Sequence, residues 1–526
     1  MQINNKRVFR FSALSVKKKV LLIVFVFTAS VAVFVGCNNT PTPPTLESQI
    51  ENGKILAKKY CTSCHMLPDP ALIDRKSWIN GVLPAMGKNL GARLFMGQYF
   101  TDKSSAINIS DWQDIVTYYS NISPVNLIMP KPAVAPLNDW AIFSVEKPVK
   151  VNKVMPAMTT MLTYDTLNHK LYSGDAANNF FEWDARLNAK LVYRFNSPVT
   201  GAVYNKNPDG SNEATVTTIG QLAPINSHLG KVYSLNVDKR NSIPTLITDG
   251  LPRAVASVAA DFNKDGLMDY VTCAFGHDTG GLYLVQQQAD HTFKKIIISN
   301  IAGGEQLITG DFNNDGWPDV MCLFAQADEG IRMFLNDHQG GFTTQTILRF
   351  PPVYGSSSFQ LVDFNHDGKP DVLYTCGDNS DYSKVLKPYH GVYIFTNQGN
   401  WKFKQTYFYH LNGCSKAIAA DFKHNGSLDI ATIAYFADFK YHPQEGFTYL
   451  EQTNPNQFTA HEIPISNYGR WLTMAVADIN QDGYDDIILG NFSTTGRGLV
   501  NQSGYTPMWD MHIPVIVLKN NAGKSK

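Results

Sequence analysis

The chain is short of most features that would assign it cheaply. It has no charge of either sign to spare: Lys+Arg 45 stand against Asp+Glu 45 in 526 residues. That balance removes the electrostatic case for a nucleic-acid or polyanionic partner. Cysteine is sparse, 7 in all, which excludes a disulfide scaffold. No Ser-His-Asp order, glycine-rich phosphate loop or zinc spacing stands out, so the common hydrolase, nucleotide and structural-zinc readings lapse. After residue 36 no apolar run is long enough to span a bilayer.

What is present begins at the amino terminus. Lys6, Arg7, Arg10 and Lys17 to Lys19 precede the apolar run Val20 to Val35, which ends in Phe34-Val35-Gly36-Cys37. A basic start, an apolar core and a small residue before the cut form an export signal over 1–36. Cys37 at that place resembles the lipobox of bacterial lipoproteins, which implies lipidation of Cys37 and a cell-envelope location facing the periplasm or the cell surface. Residues 37–45 carry NNTPTPPT, a polar, Pro-rich tether.

Tyr60-Cys61-Thr62-Ser63-Cys64-His65 is the Cys-x-x-Cys-His pattern. Two thiols this close can each bond one haem vinyl group, with the next imidazole under the iron. Gly53 to Tyr60 shows helical apolar spacing before the motif. Ile109 to Tyr119 reads as a second amphipathic helix, with Ser110 as its cap. Met86 supplies a thioether for the opposite face of a haem; Met96 is the alternative, in what reads as a helical core run. Residues 46–125 thus resemble monohaem class I cytochrome c. The resemblance implies a small all-α domain holding one haem c through Cys61 and Cys64, with His65 and Met86 as axial ligands. The short spacing from His65 to Met86 departs from longer family members. Residues 126–139 form a Pro-rich linker.

Beyond it one motif recurs. Asp261, Asn263, Asp265 and Asp269 are spaced like Asp311, Asn313, Asp315 and Asp319, like Asp363, Asn365, Asp367 and Asp371, and like Asp478, Asn480, Asp482 and Asp486, each set with glycine at the sixth position. Alternating oxygen side chains, a glycine for the sharp turn and a closing carboxylate make a Ca²⁺ loop. The run into β-rich sequence, without a further glutamate and flanking helices, rules out an EF-hand. Weaker copies start at Asn205 and Asp421; Lys423 places a cation where a ligand oxygen should be, so that loop is expected to keep its turn without a tightly held ion. Copies recur every fifty to sixty residues, the period of a four-stranded blade with inserts. With a further unit at Leu162 to Asp184 lacking the loop, the count is seven blades, and Trp140 to Val145 is placed to supply the missing outer strand of the last.

These repeats resemble FG-GAP/VCBS repeats of integrin α-like propellers. The resemblance implies an all-β seven-bladed propeller over 140–526, braced by about four or five Ca²⁺ ions. Arg253, Glu305, Ser357, Lys416 and Arg470 each fall just before a repeat, where they are expected to converge at the mouth of the central funnel. The whole reads as a lipid-anchored electron carrier whose propeller engages a redox partner, a quinone-linked dehydrogenase or a glycan. A propeller that oxidises a sugar or alcohol and reduces the fused haem is the second reading, although the tryptophan-rich repeat of quinoprotein propellers is missing. An adhesive surface protein is the third.

Overall fold

The computed structural model describes residues 44–132, 134–206, 210–380, 382–493 and 505–524. The signal segment, Cys37 and two loop residues of the weak copy at Asn205, Asn207 and Asp209, lie outside them.

Seven four-stranded antiparallel sheets stand in a ring. Their innermost strands are Thr159–Asp165, Val199–Lys206, Ala254–Ala260, Gly304–Gly310, Ser356–Val362, Cys414–Ala420 and Trp471–Ala477, each packed on the next and the seventh on the first. The fold is a seven-bladed β-propeller. Its last sheet takes its outer strand, Phe143–Glu146, from ahead of the first blade, with Phe143 opposite Asn520 and Val145 opposite Leu518. Closure removes the free edge that an open ring would expose.

Alternation of side chains sets the core. The second strands of blades three to seven, such as Asp269–Ala274, Asp319–Phe324 and Asp371–Cys376, are buried throughout, because each lies inside its sheet and between neighbouring blades. Cys273, Cys322 and Cys376 sit on these strands as buried free thiols. The cores run between blades: Phe143, Phe422 and Tyr449 meet Trp471 and Met474 where blades six and seven pack.

Residues 44–125 form a helical unit with its own core. Helix α1 (Leu46–Cys61) is capped by the Thr45 side chain, which accepts the Ser48 N–H. A helical turn (Arg75–Ser77) and a π-helical turn (Trp78–Val82) run into α2 (Leu83–Asn89), and α3 (Ile109–Ile122) crosses α1. Trp78, Trp112, Ile115 and Tyr119 fill the centre. Gly53 makes the crossing possible, since a Cβ there would lie 2.0 Å from the Asp114 carbonyl oxygen.

Three expectations change here. The unit is not all-α: Arg93–Phe95 and Gln98–Phe100 make a hairpin. Met96 is neither helical nor core; it occupies the hairpin turn at φ 48° and is 89% exposed, because Met96-Gly97 supplies the positive φ values a two-residue turn needs. The α3 cap is Asn108, whose side chain accepts the Asp111 N–H, and Ser110 already lies within the helix.

The candidate haem cavity and the repeat loops

Each inner propeller strand runs from one face of the ring to the other. The aspartate-rich loops join first strands to second and therefore lie on the lower face. Loops leaving the second strands, and those entering the inner strands, lie on the upper. The helical unit sits over the upper face at blades three to five, and a cavity of about 440 Å³ lies between them.

Cys61, Cys64, His65 and Met86 all line this cavity, with Trp78, Leu83, Trp112 and Tyr119 as apolar walls. The α1 C-terminus ends at Cys61, and the turn that follows brings Cys64 back towards it. His65 Nδ1 lies 2.8 Å from the Met66 carbonyl oxygen. A carbonyl only accepts, so Nδ1 is the donor in this contact and Nε2 is the nitrogen left for a metal, the second-sphere arrangement of a metal-binding imidazole. Burial, with Cys64 adding to it, pushes the Cys61 thiol up to about 11. That opposes a thioredoxin-like thiol pair, which depends on a lowered thiol pKa. The cavity lies within the size range of small-ligand sites, and two free thiols, one oriented imidazole and one thioether around apolar walls fit a covalently held haem.

On the lower face the four full loops share one geometry. In the first, Asp261 accepts the Asp265 and Gly266 N–H groups at 3.1 and 2.9 Å, and Asn263 and Asp265 cap the next turns. Gly266 has φ 84°, the left-handed value that favours glycine. The ninth-position carboxylates Asp269, Asp319 and Asp371 are fully buried and accept two backbone N–H groups each. Asp486 accepts only the Asn520 N–H, and its Oδ2 is buried without a hydrogen bond. Burial first, then neighbouring loop carboxylates, push Asp269 up to about 6, and burial with the same kind of neighbours does so for Asp486. Among the described residues no three carboxylate, imidazole or thiol groups already converge as a metal site.

The degenerate blade-six loop has a different solution. Lys423 Nζ lies 3.2 Å from the ninth-position Asp429 and 2.8 Å from Glu451. In blade one Asp165 closes a shorter turn, accepting from the Leu167 and Asn168 N–H groups.

The five funnel residues do not form one open mouth. Arg253 is buried and donates to the carbonyls of Gln221, Leu222 and Gly276. Arg470 is fully buried, donates to the Tyr435 carbonyl and stacks 3.6 Å from the centre of its ring. Ser357 is spent on Thr375 and the Cys414 carbonyl. The two arginines staple the loops that carry them, because a loop between tightly packed blades has carbonyls that need donors, while Ser357 lies on the inner strand Ser356–Val362. Glu305 and Lys416 are on inner strands, enclosed by the ring. Burial, with Asp378 adding and Arg253 opposing, pushes Glu305 up to about 7, and burial lowers Lys416.

Sequence reasoning missed the propeller's own side of the cavity, including Glu329, Val353, Asp378 and Lys387. A signal existed: loop 377–390 is more than twice as long as its counterparts 275–280 and 325–329.

A family model described as FG-GAP-like repeat matches residues 261–322 and 311–374. A comparison with curated proteins finds no match. Among solved structures the chain is similar to a streptogramin B lyase, at 11% identity over 73% of this chain and 100% of that one, with a TM-score of 0.44. It is also similar to the Cps50 (Swd1) β-propeller domain from Myceliophteria thermophila, at 10% identity over 70% and 99%, TM-score 0.40. The WD40 β-propeller domain of Doa1 aligns at 10% identity over 72% and 96%, TM-score 0.42. Residues 261–374 are FG-GAP-like repeats, set in the third to fifth blades of a seven-bladed β-propeller.

Proposed function

We propose that the protein is an envelope electron carrier in which the helical unit holds one haem c over a Ca²⁺-braced propeller. The observation that carries this reading is the convergence of Cys61, Cys64, His65 and Met86 on one cavity. Cys61 and Cys64 would hold the porphyrin covalently, and His65 Nε2 and the Met86 thioether would bind the iron, the thioether favouring the ferrous state. A bound haem supplies one-electron transfer. The chain's part is to exclude water with Trp78, Leu83 and Trp112 and to fix the imidazole through the Met66 carbonyl.

Lys423 supports the Ca²⁺ part. Where a loop carries an ammonium at its third position, that cation rests on the ninth carboxylate; the four loops with oxygen side chains there have the donors for a hard dication instead. The ions would brace blades without chemistry. Lipidation at Cys37 would place the protein on a membrane surface in the cell envelope, and the exposed propeller would serve a redox partner or a glycan.

The test is the visible spectrum of protein expressed with haem-maturation machinery. A reduced pyridine haemochrome of the two-thioether type, stoichiometric with protein, is the expected result; a colourless, unmodified chain overturns the reading. Mixing the oxidised holoprotein with sugars and alcohols, with and without quinone, then separates carrier from dehydrogenase. The carrier reading expects no haem reduction until dithionite is added.

A further inference from the structure

We propose that the hairpin of the helical unit, Arg93–Phe95 with Gln98–Phe100, dips into the lipid surface to which Cys37 would be anchored, and so fixes which way the helical unit faces. This rests on the lipidation reading above and adds the place where the folded protein touches the bilayer.

Among the described residues the densest run of large exposed apolar side chains is Leu94, Phe95, Met96 and Phe100, from 45% exposed at Leu94 to 89% at Met96. A cluster of that kind marks a contact surface, and its shape says for what. Each strand is three residues long, so the hairpin stands about 10 Å tall, the depth to which interfacial segments bury their apolar side. Its end is the narrow turn Met96-Gly97, at φ 48° and 79°. The apolar group is therefore a point rather than a flat face, which suits a fluid surface better than a protein one. Charge favours the same occupant. Lys88, Arg93 and Lys103 flank the hairpin and are exposed, while Asp102 is the one carboxylate between residues 88 and 105 and accepts from Ser104 and Ser105. Cations beside an apolar tip meet anionic headgroups as the tip enters the acyl boundary.

The hairpin is held in place from behind. Tyr99 meets Trp112 edge-on at 5.6 Å, the Ala92 N–H donates to the Gly87 carbonyl at 2.7 Å, and the Ser105 hydroxyl donates to the Gly91 carbonyl at 3.1 Å. It rests on α2 and α3, so its direction is that of the helical unit. Reach agrees with the proposal. Pro44, where the described chain begins, follows Cys37 by only a short stretch of sequence, which spans about 25 Å even when fully extended. A lipidated Cys37 would hold the helical unit within that distance of the headgroups. Contact is then intramolecular, and a hairpin of weak intrinsic affinity stays engaged at the effective concentration a short tether gives.

The experiment uses the mature holoprotein, beginning at Cys37, with vesicles of mixed phosphatidylcholine and phosphatidylglycerol. Without acyl chains the wild type is expected to partition onto them, and Phe95→Ser with Met96→Asn to do so about tenfold more weakly. Both side chains are exposed, and asparagine accepts the positive φ at 96, so this variant keeps its fold. Arg93→Gln with Lys103→Gln is expected to lose about fivefold per charge, and only where phosphatidylglycerol is present. Partition of the Phe95→Ser, Met96→Asn variant equal to wild type overturns the proposal and leaves the tip to a protein partner. In the lipidated protein the propeller thiols are buried, so a nitroxide goes to Gln98→Cys. It is expected to collide with oxygen dissolved in the bilayer and to be shielded from a polar nickel reagent; full access to nickel overturns the proposal. The mass of the mature amino terminus reports lipidation separately. An unacylated Cys37 defeats the underlying reading, while the vesicle partition of the hairpin variants is read without it.

Discussion

The helical unit packs its core beside an open cavity, whereas the blades of the propeller pack their cores against one another. Trp78, Trp112, Ile115 and Tyr119 pack one side of a cavity of about 440 Å³, whereas each pair of blades fills its interface with its own side chains, as Phe143, Phe422, Tyr449 and Trp471 do. The difference teaches where each region's order comes from. A propeller closes its own hydrogen bonds and fills its own core. The helical unit presents apolar walls that a prosthetic group would cover, and its stability should therefore follow occupancy, because whatever binds only the folded state stabilises it.

The sharpest way to break that comparison is to remove the attachment points. Cys61→Ser with Cys64→Ser should abolish covalent haem completely and lower the melting transition of the helical unit, while the propeller transition in calorimetry stays within a degree or two. Joint loss of both transitions would mean the propeller depends on the cavity being filled. Next in size is the closing strand. Phe143 is 4% exposed and touches Phe422 and Tyr449 edge-on, so Phe143→Ala should cost the propeller about 3–5 kcal/mol by chemical denaturation and leave the haem spectrum unchanged.

A third prediction sharpens the propeller side. Lys423→Met removes the cation from the fully buried Asp429 and should destabilise the propeller by about 3 kcal/mol whether or not Ca²⁺ is present. Chelation should lower the melting temperature of the wild type through the other four loops. If added Ca²⁺ has no effect on wild-type melting, those loops are self-sufficient turns held by the N–H bonds to Asp261 and its counterparts.

The blades were legible because turn chemistry and strand pattern repeat. Asp-x-Asn-x-Asp-Gly fixes a left-handed glycine and the buried carboxylate that follows, and the distance between copies gives the blade. Cys61, Cys64, His65 and Met86 could be chosen from local spacing alone, and they line one cavity. Met96 was misread because Leu94, Phe95 and Met96 look like an apolar run; only pairing across the hairpin shows them on an exposed turn. Arg253 and Arg470 were misread for a related reason. Sequence places them beside the axis, but the direction of a guanidinium depends on which carbonyls the neighbouring blade leaves unpaired. The propeller's side of the cavity, with Val353 and Gly355, was invisible because it is a cavity wall only with the helical unit above it.

The smallest effect concerns pH and separates the enclosed channel from the cavity. Glu305 is pushed up to about 7 by burial, with Asp378 adding and Arg253 opposing. Its ordinary value is 4.5. Between those two values the folded chain holds a proton that the unfolded chain has released, so this group makes stability fall as pH rises from about 4.5 to about 7 and level off above. Glu305→Gln should flatten that slope by on the order of 3 kcal/mol across the window, measured by urea denaturation at fixed Ca²⁺. Glu445, pushed up to about 7 mainly by its own burial, would leave a residual slope of the same sign. Glu305 stands on an inner strand rather than in the cavity lining, so the haem potential of Glu305→Gln should follow wild type at pH 8. A large change there would mean that channel and cavity act as one electrostatic site.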